Sequence, residues 1–211
     1  MVNCLNNEVY ELLKRRKSRK RLYKLCASVL PLMICTGMVY SILSIYLHEE
    51  LEFSISWIGG LFALGAGCGA ILSPFIGKAS DRIGRKPVLI GASIAFLAVF
   101  TSYAFLEELW QFSIIMIAEG ISWIAIGTAA MAYIADVSPT SERGQSMGVY
   151  EATWNVGWVI GPLSGGALAD AIGFQSTFLI GASIILVALL LLTFIVEETH
   201  GKKAKEQISN S

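Results

Sequence analysis

Six stretches of the chain are predominantly apolar, at residues 25–47, 53–77, 87–106, 109–135, 144–169 and 171–196. A helix needs about 20 such residues to cross a hydrocarbon layer roughly 30 Å thick, and each stretch supplies them. None alternates apolar and polar residues at period two, as the strands of a membrane β-barrel would. In lipid a helix satisfies its own backbone, whereas an open sheet edge cannot. The pattern predicts an all-α membrane protein of six transmembrane helices, flanked by polar segments at residues 1–24 and 197–211. Two carboxylates interrupt it: Glu119 lies inside the fourth stretch, and Glu151 near the start of the fifth.

The positions of the cations add a direction. Of the 16 Lys and Arg, eight lie between Lys14 and Lys24, and Lys78, Arg82, Arg85 and Lys86 join the second stretch to the third. Arg143 joins the fourth to the fifth, and Lys202, Lys203 and Lys205 are in the closing segment. The other connections carry His48, Glu49, Glu50, Glu52, Glu107, Glu108 and Asp170, with no Lys or Arg. Positive charge accumulates on cytoplasmic loops, so both termini are expected in the cytoplasm of a multi-pass plasma-membrane protein. An even number of spans requires the same. The basic lead-in could also dock on anionic lipid, although beside a span the anchoring of topology is the simpler reading.

Composition excludes more than it suggests. Only 15% of residues are charged against 55% hydrophobic, and the formal net charge is zero, so nothing pulls the chain towards nucleic acid. Cys4, Cys26, Cys35 and Cys68 have no metal-ligand spacing. Three of them sit in apolar runs and read as small buried residues. The polar amino end is not the pattern of a cleavable signal peptide. There is no Ser/His/Asp, metal-binding or phosphate-cradling arrangement, and both histidines lie outside the apolar runs. An enzyme is not expected, and neither a metal nor an organic cofactor is implied.

The chain also repeats itself. Leu89-Ile90-Gly91-Ala92-Ser93-Ile94 recurs letter for letter as Leu179-Ile180-Gly181-Ala182-Ser183-Ile184. An Asp-x-Ile-Gly precedes each copy (Asp81 to Gly84, Asp170 to Gly173), and a Pro-x-x-Gly precedes that (Pro74 to Gly77, Pro162 to Gly165). The first copy continues with Arg82, Arg85 and Lys86, where the second has Ala171, Phe174 and Gln175. Three spans separate the copies, so they face opposite sides of the membrane, and the outward copy lacks the cations. An inverted repeat of three helices has this signature, and inverted repeats belong to secondary transporters.

Three motifs carry a resemblance to a known family. Residues 77–86, Gly-Lys-Ala-Ser-Asp-Arg-Ile-Gly-Arg-Lys, resemble the signature that joins the second and third helices of a major facilitator superfamily half. Residues 136–144 resemble the family's connection between the fourth and fifth helices. Residues 157–166 resemble its fifth-helix Gly-Pro motif, best known in proton-driven efflux members. The likeness covers residues 22–199, one six-helix half of the usual twelve. The carboxy-terminal half is favoured by the basic lead-in and by Met116, which stands where the amino-terminal half usually has Arg. The Gly-Pro motif points the other way.

The resemblance implies alternating-access transport of a small molecule, with proton-coupled efflux as the first expectation. It also implies a partner, either a second copy or a separate six-helix half, because the family's path runs between two halves. A non-transporting truncated or regulatory membrane subunit is the alternative. The implied cytoplasmic gate joins Gly77, Asp81, Arg82, Gly84, Arg85 and Lys86 to Asp136, Glu142 and Arg143. Gly84 is expected at a tight turn, since only Gly takes positive φ without strain. Gly157, Gly161, Gly165 and Gly166 form a smooth helix-packing face beside the kinking Pro162. Glu119 lies about ten residues, or about 15 Å, along its helix and is the candidate proton-coupling group. Glu151 is a second proton-coupling candidate that, lying closer to the basic side, is expected to join the gate. Trp57 and Trp110 read as interfacial anchors, and Trp123, Trp154 and Trp158 as candidates for the substrate path.

Overall fold

The computed structural model of the protein describes residues 2–199, with the side chains of residues 2–11 and of Lys14 left aside. Met1, the side chains of Cys4 and Lys14, and His200, Lys202, Lys203 and Lys205 thus lie outside the described residues. Six long helices account for nearly all of the rest: α1 (Val2–Glu49), α2 (Ile55–Ile83), α3 (Arg85–Ser102), α4 (Leu109–Val137), α5 (Arg143–Ile172) and α6 (Phe174–Ile195). No strand occurs among the described residues.

The breaks between helices have local causes. Ser54 caps α2 by accepting a hydrogen bond from the Trp57 N–H at 3.4 Å. Before α4, Glu108 and Gln111 form a reciprocal capping box that satisfies N–H groups a helix start leaves unpaired. Ser138 and Pro139 close α4 and lead into a short 3-10 turn at Thr140–Glu142. Two breaks need only one residue each. Gly84 separates α2 from α3 with φ 114° and ψ 159°, and Gly173 separates α5 from α6 with φ 82° and ψ 165°. That region is open essentially to glycine alone.

The basic segment ahead of the first apolar run is helical. It is the first part of α1, which continues through Pro31 without interruption. Beyond it α1 is the most enclosed helix, with Leu25, Leu32, Met33, Cys35, Val39 and Leu43 fully buried. α1 packs on α5 and α6, α4 packs on α2 and α3, and α3 meets α6 between the two groups. Meanwhile Phe194, Ile55, Leu163, Ile71 and Phe105 point outward, each more than 70% exposed. Water would disfavour so many bare large side chains, and hydrocarbon would not.

Among the described residues five helices, α1, α2, α3, α4 and α6, are long and apolar enough to cross a membrane. α5 is long enough at 30 residues but too polar. Arg143, Gln145, Ser146, Glu151, Thr153 and Asn155 crowd its first half, and glycines dilute the rest.

Glycines set the closest approaches. A Cβ on Gly161 would lie 2.5 Å from the Ile34 carbonyl oxygen, and Gly157 and Gly165 meet Met33 and Met38 as tightly. On the other side, a Cβ on Gly69 would lie 2.6 Å from the Gly120 oxygen, and Gly65 is similarly close to Met116. Small residues let two backbones meet in lipid, where burial of apolar surface gives no drive. Gly166 has open space around it and is not part of this contact.

Candidate functional site

Two places gather the chemistry. The first is the Gly84 turn. Arg85 sits one residue beyond it, and its guanidinium bridges two carboxylates, lying 2.6 Å from Asp81 Oδ1 and 3.1 Å from Asp136 Oδ2. Its Nη1 also donates to Ser80 Oγ at 3.2 Å. One cation therefore ties the end of α2 and the end of α4 to the start of α3. Charge-assisted bonds of this kind are roughly twice as strong as neutral ones.

Gly84 has no side chain to cap α3. Glu198 does so from the far end of the chain, accepting from the Arg85 N–H at 3.3 Å and the Lys86 N–H at 3.1 Å. A carboxylate on two unpaired N–H groups at a helix start is favoured by the helix dipole. Lys86 Nζ in turn donates to the Thr193 carbonyl at 2.7 Å. Next to Glu198, Glu197 pairs with Arg21 at 3.0 Å and Lys24 at 3.3 Å. The hydrogen bond from Lys24, and then that from Arg21, hold its carboxyl below the usual carboxylate range. Residues 196–199 thus strap α6 to α1 and α3 on the basic side.

The expected gate residues are only partly united here. Asp81, Arg85 and Asp136 come together and Lys86 lies beside them, while Gly77 faces Thr128 across α2 and α4. Arg82 is exposed and makes none of these bonds. Glu142 pairs instead with Arg15 of α1 at 3.4 Å. Arg143 has a buried Nε with no hydrogen-bond partner among the described residues. Glu151 is exposed on α5, apart from the cluster, because its position on the helix turns it away from α1. Sequence reasoning missed Glu197, Glu198 and Arg15. Two adjacent carboxylates just past the last apolar run, on the same side as the Lys14–Lys24 cations, were the available signal.

The second place is a cavity of about 360 Å³ between α1, α2 and α4. Tyr40, Phe62, Met116, Glu119, Trp123 and Ile124 line it, with the backbones of Gly65 and Gly120 as its floor. Glu119 is 1% exposed and accepts from Tyr103 Oη at 2.5 Å. The bond anchors it to the carboxyl end of α3, in a contact the sequence did not indicate. Tyr40, which lines the same cavity, is a second hydroxyl in hydrogen-bonding contact with the carboxyl.

Further aromatic rings pack against the Tyr40 and Trp123 that line the cavity. Trp123 meets Trp154 edge-on with centroids 4.6 Å apart and stacks with Phe96 at 6.0 Å. Tyr40 stands between Phe62 at 5.7 Å and Trp158 at 6.1 Å. The three tryptophans singled out in the sequence thus belong to one aromatic cluster, of which Trp123 lines the cavity. Trp57 and Trp110, by contrast, are over 60% exposed near helix starts.

An all-helical bundle with outward apolar faces, close glycine contacts and a polar group in an interior cavity defines a multi-pass membrane protein. The Major Facilitator Superfamily profile matches residues 25–210, and the chain belongs to that family. The family is one of transporters, not enzymes. Among curated relatives, the multidrug resistance protein MdtG of Proteus mirabilis is 32% identical over 75% of this chain and 39% of its own length. The class B tetracycline resistance protein of Escherichia coli is 35% identical over 79% of this chain and 42% of its own. The chain spans less than half the length of these relatives. Among solved structures, the human organic anion transporter MFSD10 superposes with a TM-score of 0.63 at 16% identity, covering 88% of this chain and 48% of that one. A D-xylose-proton symporter gives 0.62 at 18% identity, over 93% and 53%. At such identities these two likenesses show the fold alone.

Proposed function

We propose that the chain forms one half of a proton-coupled efflux transporter that moves small apolar molecules by alternating access. The observation that carries this reading is the Glu119 carboxyl, buried between the hydroxyls of Tyr103 and Tyr40 beside a cavity lined by aromatic rings. Ionised in hydrocarbon, such a group costs at least about 3 kcal/mol, so intramembrane carboxylates mark ion and proton paths. A carboxyl that gains its proton from one side and releases it to the other couples the gradient to the movement of the cavity.

The fold supports the rest of the scheme. Exchanging α1 with α4, α2 with α5 and α3 with α6 maps each packed helix pair onto another packed pair. Such symmetry supports a 3+3 inverted repeat in which α5 also spans, its polar side turned from lipid. On this reading both termini are cytoplasmic, and the Asp81–Arg85–Asp136 cluster is a gate that breaks when the cavity opens inward. The host membrane is the plasma membrane. The cavity has walls from one bundle only, so the path needs a second, whether a second copy, a separately encoded half or further residues of a longer chain.

The test is accumulation of a lipophilic fluorescent dye in inverted vesicles under an imposed pH gradient. The protein is expected to drive accumulation, and Glu119→Gln to abolish the pH dependence. Unchanged pH-driven uptake in Glu119→Gln removes proton coupling. No uptake by the unaltered protein, alone or with its partner half, favours the second reading, a non-transporting membrane subunit, which draws on the chain's partial coverage of its relatives.

A further inference from the structure

The polar end of α1 sorts its cations by partner. Arg15 reaches Glu142 at 3.4 Å, and Arg21 and Lys24 share Glu197. Arg16, Arg19 and Lys20 have no acidic partner among the described residues and are exposed. At 3.6 residues per turn these three fall in one sector of the helix, together with Leu12 and Tyr23. The opposite sector holds Ser18, Leu22 and Leu25, which are buried against the bundle. The free sector forms a shallow hollow of about 340 Å³ lined by Leu12, Arg15, Arg16, Arg19, Lys20 and Tyr23.

Spacing and depth both bear on what fills it. Arg16, Arg19 and Lys20 stand at i, i+3 and i+4, where like charges repel, so an anion between them relieves a repulsion built into the helix. Lys20 and Arg19 lie five and six residues before the apolar run begins at Leu25, which is about 8–9 Å along the axis. A bilayer's headgroup layer is roughly 5–8 Å deep on each side, and long basic side chains bend towards it. Tyr23 stands at the boundary itself, where aromatic side chains accumulate. Leu12 and Tyr23 add apolar contact that a free inorganic ion would not use.

We infer that Arg16, Arg19 and Lys20, with Tyr23, form a binding site for the phosphate headgroup of an anionic phospholipid whose acyl chain runs down α1 past Tyr23. The site is separate from the Glu119 cavity and does not depend on what that cavity carries.

The experiment titrates phosphatidylglycerol and phosphatidylcholine separately into the purified full chain in neutral detergent, with bound lipid counted by native mass spectrometry. Phosphatidylglycerol is expected to bind more tightly. The triple substitution Arg16→Gln, Arg19→Gln, Lys20→Gln should weaken it by about a hundredfold, taking about fivefold per basic side chain at an anionic surface. Lys17→Gln, on another face of α1, should change it by less than about fivefold. Arg16→Lys with Arg19→Lys keeps the charge and should keep the preference, which guards against a fold defect in the triple variant. Equal binding of the two lipids overturns the site, as does a preference that survives the triple substitution. Soluble glycerol phosphate that binds as tightly as the lipid also overturns it, since the site would then be one for free phosphate.

Discussion

Two turns in this protein have the same backbone and opposite chemistry. At Gly84 and Gly173 a single glycine in the same sparse region of φ/ψ space ends one helix and starts the next. Each comes after an Asp-x-Ile and before a Leu-Ile-Gly-Ala-Ser-Ile. Beyond the first turn stand Arg85 and Lys86, which reach Asp81, Asp136, Glu198 and the Thr193 carbonyl. Beyond the second stand Phe174 and Gln175, and Phe174 packs on Tyr46 at 5.5 Å instead. The shape of the turn is therefore a property of the glycine, and the polar network a property of the two residues after it. The two can be altered separately.

The largest effect is expected from Arg85→Gln. It leaves Asp136, whose side chain is only 20% exposed, without its guanidinium, and should cost about 2–3 kcal/mol in a detergent unfolding titration. Phe174→Ala, at the equivalent place, should leave the Arg85 network untouched. If Arg85→Gln is neutral, the first turn is no more than a copy of the second. Gly84→Ala and Gly173→Ala come next. Each forces an L side chain into a glycine-only region and should lose about 1–2 kcal/mol, by similar amounts at the two sites. A loss at one site only would break the equivalence of the two backbones.

Asp81→Asn should be milder. Asp81 is 66% exposed, so its pair with Arg85 is worth under about 1 kcal/mol of stability. Transport should nevertheless fall while membrane insertion is normal, and full transport would remove the gating role. The smallest effect belongs to Glu197. Lys24 and Arg21 lower its folded-state pKa, so its contribution is present above the unfolded-state value, about 4.3, and fades as pH falls through the folded value. Melting curves should show a slight acid destabilisation below about pH 4 that Glu197→Gln abolishes.

The difference between the turns also explains what could be read in advance. Gly84 was legible because its requirement is local: a helix ending and a helix beginning one residue apart leave little but glycine. Asp81 and Arg85 stand four residues apart and so share a helical face, and Asp136 ends a helix on the same basic side. The strap was not legible. Glu198 meets the start of α3 across 112 residues of chain, a contact set by how α6 ends against α3 and not by any periodicity. The expected grouping of Arg82, Glu142, Arg143 and Glu151 treated residues on one side of the membrane as if they were neighbours. Helix rotation decides which of them meet, and it sends Glu142 to Arg15 and Glu151 to the surface. Apolar content likewise marked α5 as equivalent to the others, although its polar first half separates it from them.

The unbroken course of α1 has a mechanical consequence. Its 48 residues make a rod about 70 Å long, close-packed against its neighbours from Leu22 onward and reaching past Arg15 at its amino end. With no loop along the rod, any tilt of the close-packed part carries its amino end through the same angle and a longer arc. A spectroscopic label on the exposed Leu13 would act as the needle of a gauge, turning small rearrangements within the bilayer into displacements visible from outside it.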